Sequence, residues 1–413
     1  MAVITNINLW EEGQKKIEWA KKHMPILNTI VEQYQEEKPL KDLNVALSVH
    51  LEAKTAYLCL CLSKLGANMF VTGSNPLSTQ DEIAAALVKN GLNVYAKHGV
   101  SNDEYFEHLM MTLDNDIDLI IDDGGDLAYL LHTKLLDKAK KIIGGCEETT
   151  TGVIRLKSLE KEGKLLFPMI AVNDAYTKHM FDNRYGTGQS TWDSILRNTN
   201  LIIAGKYVVV AGYGWCGKGI AKKAQGLGAK IIITEVDPIK ALEAYMDGFE
   251  VMTMDKAAKL GDIFITATGC KDIIIDKHFY DMKDGAILCN AGHFNVEINM
   301  AKLEEIAEGK YNVRKNIDAY KVNGKEIYVI GEGRLVNLAA ADGHPVEIMD
   351  MSFGLQMLSA IYVKENKDNL ENKVYNVPEH IDKKIARIKL KSLGIEIDKL
   401  TDEQKEYLES WEV

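Results

Sequence analysis

The sequence lacks the features that mark secreted, membrane-spanning and nucleic-acid-binding proteins. No uninterrupted apolar run reaches 18 residues, and the opening stretch MAVITNINLWEEGQKK has no charged segment followed by an apolar one. Positive charge is in deficit, since 49 Lys and Arg stand against 60 Asp and Glu, giving a formal net charge of −11. Such a surface attracts neither phosphate backbones nor acidic lipids. We therefore expect a cytoplasmic protein with no nucleic-acid partner and no membrane partner.

Cysteines are few and dispersed. The six cysteines include no CxxC pair, and no histidine lies near them at a metal-ligand spacing. Most lie inside apolar runs such as YLCLCL and GAILCNAG, which favours reduced thiols over disulfides. The sequence predicts no metal site.

Strand-sized apolar runs alternate with helix-sized segments along most of the 413 residues. One series, LNVALSV, ANMFVTG, LNVYAKHG and DLIIDDGGD, lies in the first third of the chain, and a second comprises KYVVVAGYG, KIIITEVDP, DIFITATG and GAILCNAGH. Continuous apolar runs in a βα alternation predict an α/β fold of doubly wound parallel sheets covered on both faces. The stretch Asn173 to Gln189 has no sheet-like pattern, and we interpret it as the crossing between two domains.

The second series carries a dinucleotide-binding signature. GxGxxG occurs as Gly212, Gly214 and Gly217, between an apolar strand and a helical segment, and the next strand ends in Glu235. Glycines let the backbone approach a pyrophosphate at a helix N-terminus, and the acid accepts hydrogen bonds from ribose hydroxyls while repelling a 2′-phosphate. NAD is therefore predicted in preference to NADP. Later strand ends add further candidates near the cofactor, namely Thr268, Asn290, Gly292 and His293.

Six motifs extend the signal over nearly the whole chain: DDGGDLAYLLHTK, GGCEETTTGVIRL, VNDAYTKHMFDNRYGTGQS, VVVAGYGWCGKG, NAGHF and EGRLVNLAAADGHPVEIMDMSF. In this order they resemble the S-adenosyl-L-homocysteine hydrolase family. The resemblance implies a Rossmann NAD domain inserted in a larger α/β substrate domain, with HPVEIMDMSFGLQMLSAIYV as the returning helix. The implied boundaries are 1–183 and 344–375 for the substrate domain, 184–343 for the NAD domain, and 376–413 for a helical C-terminal extension. Family members are homo-oligomers, usually tetramers, so the extension is expected to contact a neighbour.

The resemblance also implies a reaction. NAD oxidises the 3′-hydroxyl of a nucleosidyl-L-homocysteine, the ketone acidifies the C4′ hydrogen, homocysteine is eliminated, water adds, and the ketone is reduced to release the nucleoside. The net redox change is zero, so the cofactor is expected to stay bound through turnover. Two rivals remain: an ordinary NAD dehydrogenase that releases NADH, and a non-catalytic NAD-binding paralogue.

The site residues implied by the resemblance fall into three groups. The catalytic candidates are Lys178 as the base at the 3′-hydroxyl with Asn173 nearby, Glu148 and Asp182 on the ribose hydroxyls, and His50 and Asp123, whose division of labour is left open. A lysine base is expected to have its pKa lowered by burial or by neighbours. Substrate contacts are implied for Glu52, Lys54, Gln80, His293, His344 and Met349. Cofactor contacts beyond the glycine loop and its strand ends are implied for Thr149, Thr150, Thr151, Asn183, Val236, Lys240 and Asn337.

Simpler interpretations of these residues exist. Asp122, Asp123 and Asp126 are acceptable as turn acids after a strand, and His293 and His344 as loop histidines. Lys178 and Asp182 are four residues apart, a spacing typical of an exposed helical ion pair.

This chain departs from the family pattern at some positions. Thr187 replaces a common cysteine, and Lys240 replaces an asparagine that usually helps Glu235 to hold the ribose. Glu52 and Lys54 stand where the family commonly has Thr and then Glu or Gln, which recognise adenine. Lysine only donates hydrogen bonds and an ionised glutamate only accepts, so the pair suits hypoxanthine, whose O6 accepts and whose N1–H donates. S-inosyl-L-homocysteine is therefore the predicted substrate and S-adenosyl-L-homocysteine the alternative. In a simpler interpretation, Glu52 caps a helix and Lys54 is solvated.

Overall fold

The computed structural model describes residues 2–411, which form two sheets surrounded by helices. In chain order the strands are β1 (Asn44–Ser48), β2 (Asn68–Thr72), β3 (Asn93–Val94), β4 (Leu119–Asp122), β5 (Gly144–Glu147), β6 (Met169–Ala171), β7 (Tyr207–Ala211), β8 (Lys230–Thr234), β9 (Glu250–Val251), β10 (Ile263–Thr266), β11 (Ala286–Asn290), β12 (Gly309–Arg314), β13 (Ile317–Val322), β14 (Lys325–Ile330) and β15 (Val374–Asn376).

Helices fill the intervals between most of the strands. The α-helices are α1 (Trp10–Lys22), α2 (Pro25–Tyr34), α3 (Ala53–Lys64), α4 (Asp81–Lys89), α5 (Asn102–Leu113), α6 (Asp126–Thr133), α7 (Leu136–Ala139), α8 (Thr150–Lys161), α9 (Tyr176–Lys178), α10 (Thr187–Thr199), α11 (Trp215–Gly226), α12 (Pro238–Met246), α13 (Met254–Ala257), α14 (Asp276–Asp281), α15 (Met300–Ile306), α16 (Val336–Ala339), α17 (Val346–Glu365), α18 (Glu379–Ser392) and α19 (Asp402–Glu409). A π-helix (His179–Gly186) and three 3₁₀ turns (Ile7–Leu9, Val172–Asp174 and Gly331–Gly333) complete the described elements.

The first sheet is parallel throughout, with strand order β15-β6-β5-β4-β1-β2-β3. The second sheet has the order β12-β13-β14-β11-β10-β7-β8-β9 and is parallel from β14 to β9. The predicted α/β fold is therefore confirmed. The expectation of a wholly parallel second sheet is wrong at one edge, where β13 runs antiparallel to β12 and β14. The dipeptide Asn323-Gly324, with both φ angles positive, makes the tight turn that joins β13 to β14 as a hairpin.

The second sheet interrupts the first in sequence. Strands β7 to β14 lie between β6 and β15, and β15 pairs in parallel with β6 after the chain returns. The predicted returning helix is present as α17, which is apolar on nearly all sides and mostly buried, as expected for a helix inside a core. The predicted boundary at 375/376 falls within β15, and the predicted boundary at 183/184 falls within the π-helix.

Both faces of the first sheet are covered, as its continuous apolar runs predicted. Val45 and Leu47 of β1 pack in one buried cluster, and Ala46 between them packs in another on the opposite face. Adjacent residues of a strand point to opposite faces, so a strand covered on both sides must be apolar at successive positions.

The segment after β15 is helical, as predicted, but its two helices differ in environment. Ile381 and Ile385 of α18 are buried in the core that includes α17, whereas α19 has no buried residue. All six cysteines are free thiols. Within residues 2–411, the helices are too short or too polar to cross a bilayer.

Candidate active site

A cavity of about 1030 Å³ opens between the two sheets. On one side it is lined by the residues that follow β1, β4 and β5, and on the other by those that follow β7, β10 and β11. Parallel strands present their carboxyl ends at one edge of a sheet, so the topology collects the polar side chains at these ends around one space. The cavity is large enough for a dinucleotide cofactor and a small substrate together.

The structure brings most of the predicted site residues to the wall of this cavity. They are His50, Glu52, Lys54, Asp123, Glu148, Thr149, Thr150, Thr151, Asn173, Lys178, Asp182, Asn183, Gly212, Gly214, Glu235, Val236, Lys240, Thr268, Gly292, His293, Asn337, His344 and Met349.

Three predicted residues lie outside the cavity wall. Gln80 precedes α4, and its side-chain oxygen lies 3.5 Å from Lys16 Nζ at the protein surface. Asn290 is fully buried, and its amide donates to the carbonyl oxygens of Gly292 and Phe294, so it shapes the loop after β11 instead of facing a ligand. Gly217 lies inside α11, where a Cβ would stand 1.9 Å from a backbone oxygen. Because Gly217 has no side chain, α11 can pack closely against the backbone of the glycine loop at Gly212.

The central element of the site is one helical segment with an irregular middle. The π-helix His179–Gly186 joins α9 directly to α10. Wider π turns occur mostly at functional sites, where they re-aim side chains. Here Lys178 Nζ lies 2.8 Å from Asn183 Oδ1 and 3.2 Å from Asp182 Oδ2. All three side chains line the cavity, so the interpretation of Lys178 and Asp182 as an exposed ion pair is excluded.

Lys178 has more acidic surroundings than a lysine base was expected to have. Its ammonium also lies 3.6 Å from Glu148 Oε1 and 3.5 Å from Asn173 Oδ1. Burial alone would lower the pKa of Lys178, but the Asp182 and Glu148 carboxylates outweigh burial and raise it above its ordinary value. The predicted direction of the pKa shift is therefore wrong. The lysine is held protonated by its neighbours.

The pKa of Glu148 is shifted upward, which favours the neutral carboxyl group. Burial raises its pKa to about 8, with Asp182 adding to the shift and Lys178 and Gln356 opposing it. Gln356 Nε2 donates to Glu148 Oε2 at 2.5 Å. Near neutral pH the carboxyl group is therefore largely protonated, and it can donate a hydrogen bond as well as accept one.

Asp182 is the anion of this cluster. Its carboxylate contacts Lys178 and the His344 ring, and it accepts a hydrogen bond from Ser352 Oγ at 2.9 Å. Burial would raise the pKa of Asp182, but Lys178 and His344 hold it far below its ordinary value. The other ring nitrogen of His344 lies 3.3 Å from the hydroxyl of Thr187, the residue that replaces the common cysteine. His344 is therefore fixed between two partners and is not a solvated loop histidine.

A second polar cluster lines the same cavity. Asp123 Oδ2 lies 3.4 Å from His50 Nε2, and Asp123 Oδ1 lies 3.8 Å from His293 Nδ1. Ser78 Oγ lies 2.6 Å from the other nitrogen of His50, and Ser74 donates to Asp123. Burial lowers the pKa of His50 to about 4, against the opposing effect of Asp123. His50 is therefore a neutral imidazole beside a carboxylate, an arrangement suited to proton transfer.

The same three side chains are spaced as metal ligands are. One donor atom each of His50, Asp123 and His293 lies within 4.8 Å of the other two. Sequence spacing did not predict that these three residues form one group, because they follow strands β1, β4 and β11, which are distant in sequence.

The glycine loop has the shape of a phosphate cradle. Gly212 has φ +94°, and a Cβ there would stand 2.7 Å from the oxygen of Ala267. Gly214 faces open space, with no atom within 4 Å of where its Cβ would be. The first turn of α11 begins directly after it without a side-chain cap, so its free N–H groups point toward the cavity.

Glu235 stands at the edge of this cradle. Its Oε2 accepts the N–H of Tyr213 at 2.7 Å, and its Oε1 accepts the N–H of Val236 at 2.7 Å. These contacts fix the carboxylate at the end of β8, where it lines the cavity.

Glu52 and Lys54 lie together in the wall of the cavity. Lys54 Nζ is 2.8 Å from Glu52 Oε2 and donates to the backbone oxygen of Asp342 at 3.1 Å. Glu52 is the N-cap of α3, accepting the N–H groups of Lys54 and Thr55. The simpler interpretation is thus right about Glu52 as a cap and wrong about Lys54, which is only 9% exposed.

Two buried acids that sequence reasoning missed hold the loops of the site. Glu147 Oε1 accepts the N–H of Gly124 and the N–H of Thr149, both at 2.9 Å, and so ties the loop after β4 to the loop after β5. Glu297 accepts the N–H and the hydroxyl of Thr268. Glu147 and Glu148 are neighbours, and only Glu148 lines the cavity. The sequence could not distinguish their orientations, because the run GGCEE has no alternating apolar pattern that would mark the two faces of a strand.

The inserted Rossmann-type unit and the buried, oppositely shifted carboxyl groups around the cavity define the class of protein as an α/β enzyme. A sequence profile described as S-adenosyl-L-homocysteine hydrolase matches residues 2–411. The chain belongs to this family and is a hydrolase of the adenosylhomocysteinase type.

Similar proteins cover the whole chain. The S-inosyl-L-homocysteine hydrolase of Methanocaldococcus jannaschii is 59% identical over 411 residues, spanning 100% of this chain and 99% of that protein. The S-inosyl-L-homocysteine hydrolase of Methanococcus maripaludis is 57% identical over the same shares of both chains. The adenosylhomocysteinase of Archaeoglobus fulgidus is 56% identical over 400 residues, spanning 97% of this chain and 99% of that protein.

Proposed function

We propose that the chain catalyses the reversible hydrolysis of S-inosyl-L-homocysteine to inosine and L-homocysteine, with tightly bound NAD. The observation that carries the choice of base is the buried Lys54–Glu52 pair at the cavity wall. Two of the most similar proteins bear the name of this activity, while others at 56–57% identity are named adenosylhomocysteinase. Overall identity therefore does not decide the base, and the local chemistry must.

The pair is complementary to hypoxanthine. An ammonium has three donors, and Lys54 uses one on Glu52 and one on the oxygen of Asp342, which leaves one for O6 of the base. Glu52 Oε1 makes only long contacts with Thr55, at 3.3 and 3.5 Å, so it keeps capacity to accept from N1–H. Adenine presents a donor and an acceptor in the reverse order. A buried polar group without a matching partner should lower kcat/KM for the adenosyl compound by about ten- to several-hundred-fold relative to the inosyl compound.

The residues of the second sheet fit NAD. The open position at Gly214 and the uncapped start of α11 accommodate a pyrophosphate, and the Glu235 carboxylate suits ribose hydroxyls while repelling a 2′-phosphate. We propose Thr149, Thr150 and Thr151 as contacts on the nicotinamide side, because they line the same cavity as the glycine loop and Lys178. When bound there, NAD would supply the two-electron oxidation of the nucleoside 3′-carbon to a ketone and the later reduction of that ketone.

The proton at the 3′-oxygen is assigned to Lys178. Its ammonium is held by the Asp182 carboxylate, and a ribose hydroxyl that donates to Asp182 weakens this hold on the lysine. The pKa of Lys178 then falls, and the amine can accept the hydroxyl proton. Asn173 and Asn183 orient the lysine through their side-chain oxygens.

The elimination is assigned to the second cluster. Asp123 or His50 removes the proton at C4′, the C5′–sulfur bond breaks, and the departing homocysteine sulfur takes up a proton. Water then adds across the resulting double bond, so that the thioether plus water gives nucleoside plus thiol. His50, neutral beside Asp123, can carry a proton in either direction.

For the chain as a whole we propose a substrate domain of residues 1–183 and 344–375 around an NAD domain of residues 184–343. This division is supported by the sequence positions of the two sheets. A cytoplasmic homotetramer remains part of the proposal.

Product analysis tests the proposed reaction. Purified protein incubated with S-inosyl-L-homocysteine should release inosine and free thiol in equal amounts, with no net accumulation of NADH. Accumulation of NADH in step with turnover would identify a dehydrogenase instead. Release of neither product, with NAD bound, would identify a non-catalytic paralogue.

A further inference from the structure

The helix that carries Lys178 begins without a cap of its own. Its N-cap position is Ala175, whose methyl side chain cannot accept a hydrogen bond from the first N–H groups. The acceptor comes from a residue more than 200 positions away in sequence. Asp382 Oδ2 accepts the N–H of Tyr176 at 2.8 Å, and Asp382 Oδ1 accepts the N–H of Thr177 at 2.9 Å.

This contact is buried and firmly supported on both sides. Asp382 is 7% exposed, and the hydroxyl of Thr177 donates to the same carboxylate oxygen. On α18, the neighbouring Ile381 and Ile385 are buried in the core around the first sheet. The carboxylate is therefore attached to a fixed helix and cannot follow a displaced α9 without disturbing that core.

The residue after Thr177 is Lys178. Its ammonium must stay within hydrogen-bond reach of Asp182 and Asn183, which lie on the π-helix that follows directly. An irregular helix of this kind has few backbone bonds to fix its start, so its position depends on contacts from outside.

We propose that Asp382 is a positioning residue for the reaction: the first helix after β15 caps the helix that bears Lys178 and fixes the place of the lysine in the cavity. The proposal rests on the role proposed above for Lys178. It also gives α18 a task within its own chain, whereas the sequence suggested only an oligomer contact for this segment.

Charge and geometry both matter at this position. Three donors, two N–H groups and one hydroxyl, converge on the carboxylate. In Asp382→Asn one oxygen is replaced by an NH₂ group, which faces a donor and cannot accept from it. Asp382→Ala leaves all three donors without a partner.

The structure offers a matched control. Asp350 of α17 accepts the N–H groups of Ile26 and Leu27, at 2.9 and 3.0 Å, at the start of α2. It is the same kind of buried, long-range carboxylate cap, but it caps a helix that contributes no residue to the cavity.

The test compares Asp382→Ala, Asp382→Asn and Asp350→Ala in the full-length protein loaded with NAD. One measurement is backbone hydrogen exchange of residues 176–183, and the other is the single-turnover rate of NADH absorbance after addition of inosine. Both alanine variants should lose thermal stability. Only Asp382→Ala should speed exchange in residues 176–183 and slow cofactor reduction by on the order of tenfold to a hundredfold, because small misplacements of a reacting group have effects of that size. In Asp382→Asn, both the exchange rate of residues 176–183 and the rate of cofactor reduction should be intermediate between those of Asp382→Ala and the wild type.

The binding of inosine, measured by calorimetry, should change by less than about threefold in Asp382→Ala, since the cap does not touch the ligand. Unchanged exchange in residues 176–183, or an equal loss of rate in Asp350→Ala, would overturn the positioning role. A wild-type protein that forms no NADH with inosine would refute the proposed function instead, while the exchange measurement would still decide whether Asp382 holds the helix.

Discussion

Lys178 Nζ lies 3.2 Å from Asp182 Oδ2, and both side chains are buried in the wall of the cavity. The pairing sets opposite pKa shifts, raising that of Lys178 and lowering that of Asp182. The pairing therefore keeps the lysine protonated. Under the proposed function, a ribose hydroxyl that donates to Asp182 makes the amine available as a base.

Replacing Lys178 tests its role at the 3′-oxygen. Lys178→Ala should slow the reduction of bound NAD by nucleoside by on the order of 10²–10⁴, the usual contribution of a general base. Nucleoside binding should remain measurable by calorimetry, since the base is recognised elsewhere. The control is Lys164→Ala, at an exposed lysine paired with Glu162. This variant should reduce bound NAD at the wild-type rate. Near-normal reduction by Lys178→Ala would assign the proton transfer to another group.

The raised pKa of Glu148 predicts a pH-dependent stability. Because this pKa is about 8 in the folded protein and 4.5 ordinarily, the folded state keeps a proton that the unfolded chain releases as pH rises between these values. Glu148 therefore lowers the free energy of unfolding as pH rises through that window. Relative to wild type, Glu148→Gln should gain stability from about pH 5 to about pH 8, by on the order of a few kcal/mol in urea denaturation.

Glu162→Gln, at a half-exposed glutamate, serves as the control for this measurement and should show no such trend. A constant difference between Glu148→Gln and wild type across the window would show that Glu148 is ionised throughout.

The glycine loop offers a pair of substitutions within one helix. In Gly217→Ala the new Cβ would stand 1.9 Å from Gly212 O, so the loop must move and the purified protein should lose its NAD on gel filtration. Gly226→Ala at the end of the same helix meets no atom within 4 Å and should keep the cofactor, with stability unchanged or slightly raised. Cofactor content is read from the absorbance of the heat-released nucleotide. Equal cofactor content in both variants would argue against binding at this loop.

Exchanging the base-recognising pair should change the preferred substrate. In Glu52→Thr/Lys54→Gln, threonine still caps α3, and glutamine offers both an acceptor for the amino group of adenine and a donor for N1. The ratio of kcat/KM for the inosyl over the adenosyl compound should fall by at least about tenfold. Lys64→Gln, an exposed lysine at the far end of α3, should leave the ratio unchanged.

Much of the fold was predictable because buried parallel strands leave continuous apolar runs. The runs from Leu43 to Val49 and from Tyr207 to Ala211 contain β1 and β7. Strand β5, with the sequence GGCE, was missed because close contacts with Ile120 and Met169 require glycine at Gly145 and leave no apolar pattern. The antiparallel edge was missed because its outermost strand, β12, has no buried residue and leaves no apolar run.

Site residues were predictable where they follow strands or lie in family motifs, as Asp123 and Glu148 do. The direction of the pKa shift of Lys178 was not predictable, because it depends on Glu148 and Asp182, which folding brings close to the lysine. The capping of α9 by Asp382 was also not predictable, because a contact between residues 205 positions apart leaves no local sequence pattern. Gln80 was assigned by resemblance alone, and the structure places it at the start of α4 outside the cavity.

The central claim is that the buried Lys54–Glu52 pair selects hypoxanthine. The most direct test is the specificity constant of the purified, NAD-loaded protein for S-inosyl-L-homocysteine and for S-adenosyl-L-homocysteine under identical conditions. The account predicts that kcat/KM for the inosyl compound is higher by at least about tenfold. Equal or better use of the adenosyl compound would contradict it and would leave an adenosylhomocysteinase in which Lys54 serves only to hold Glu52 and Asp342 in place.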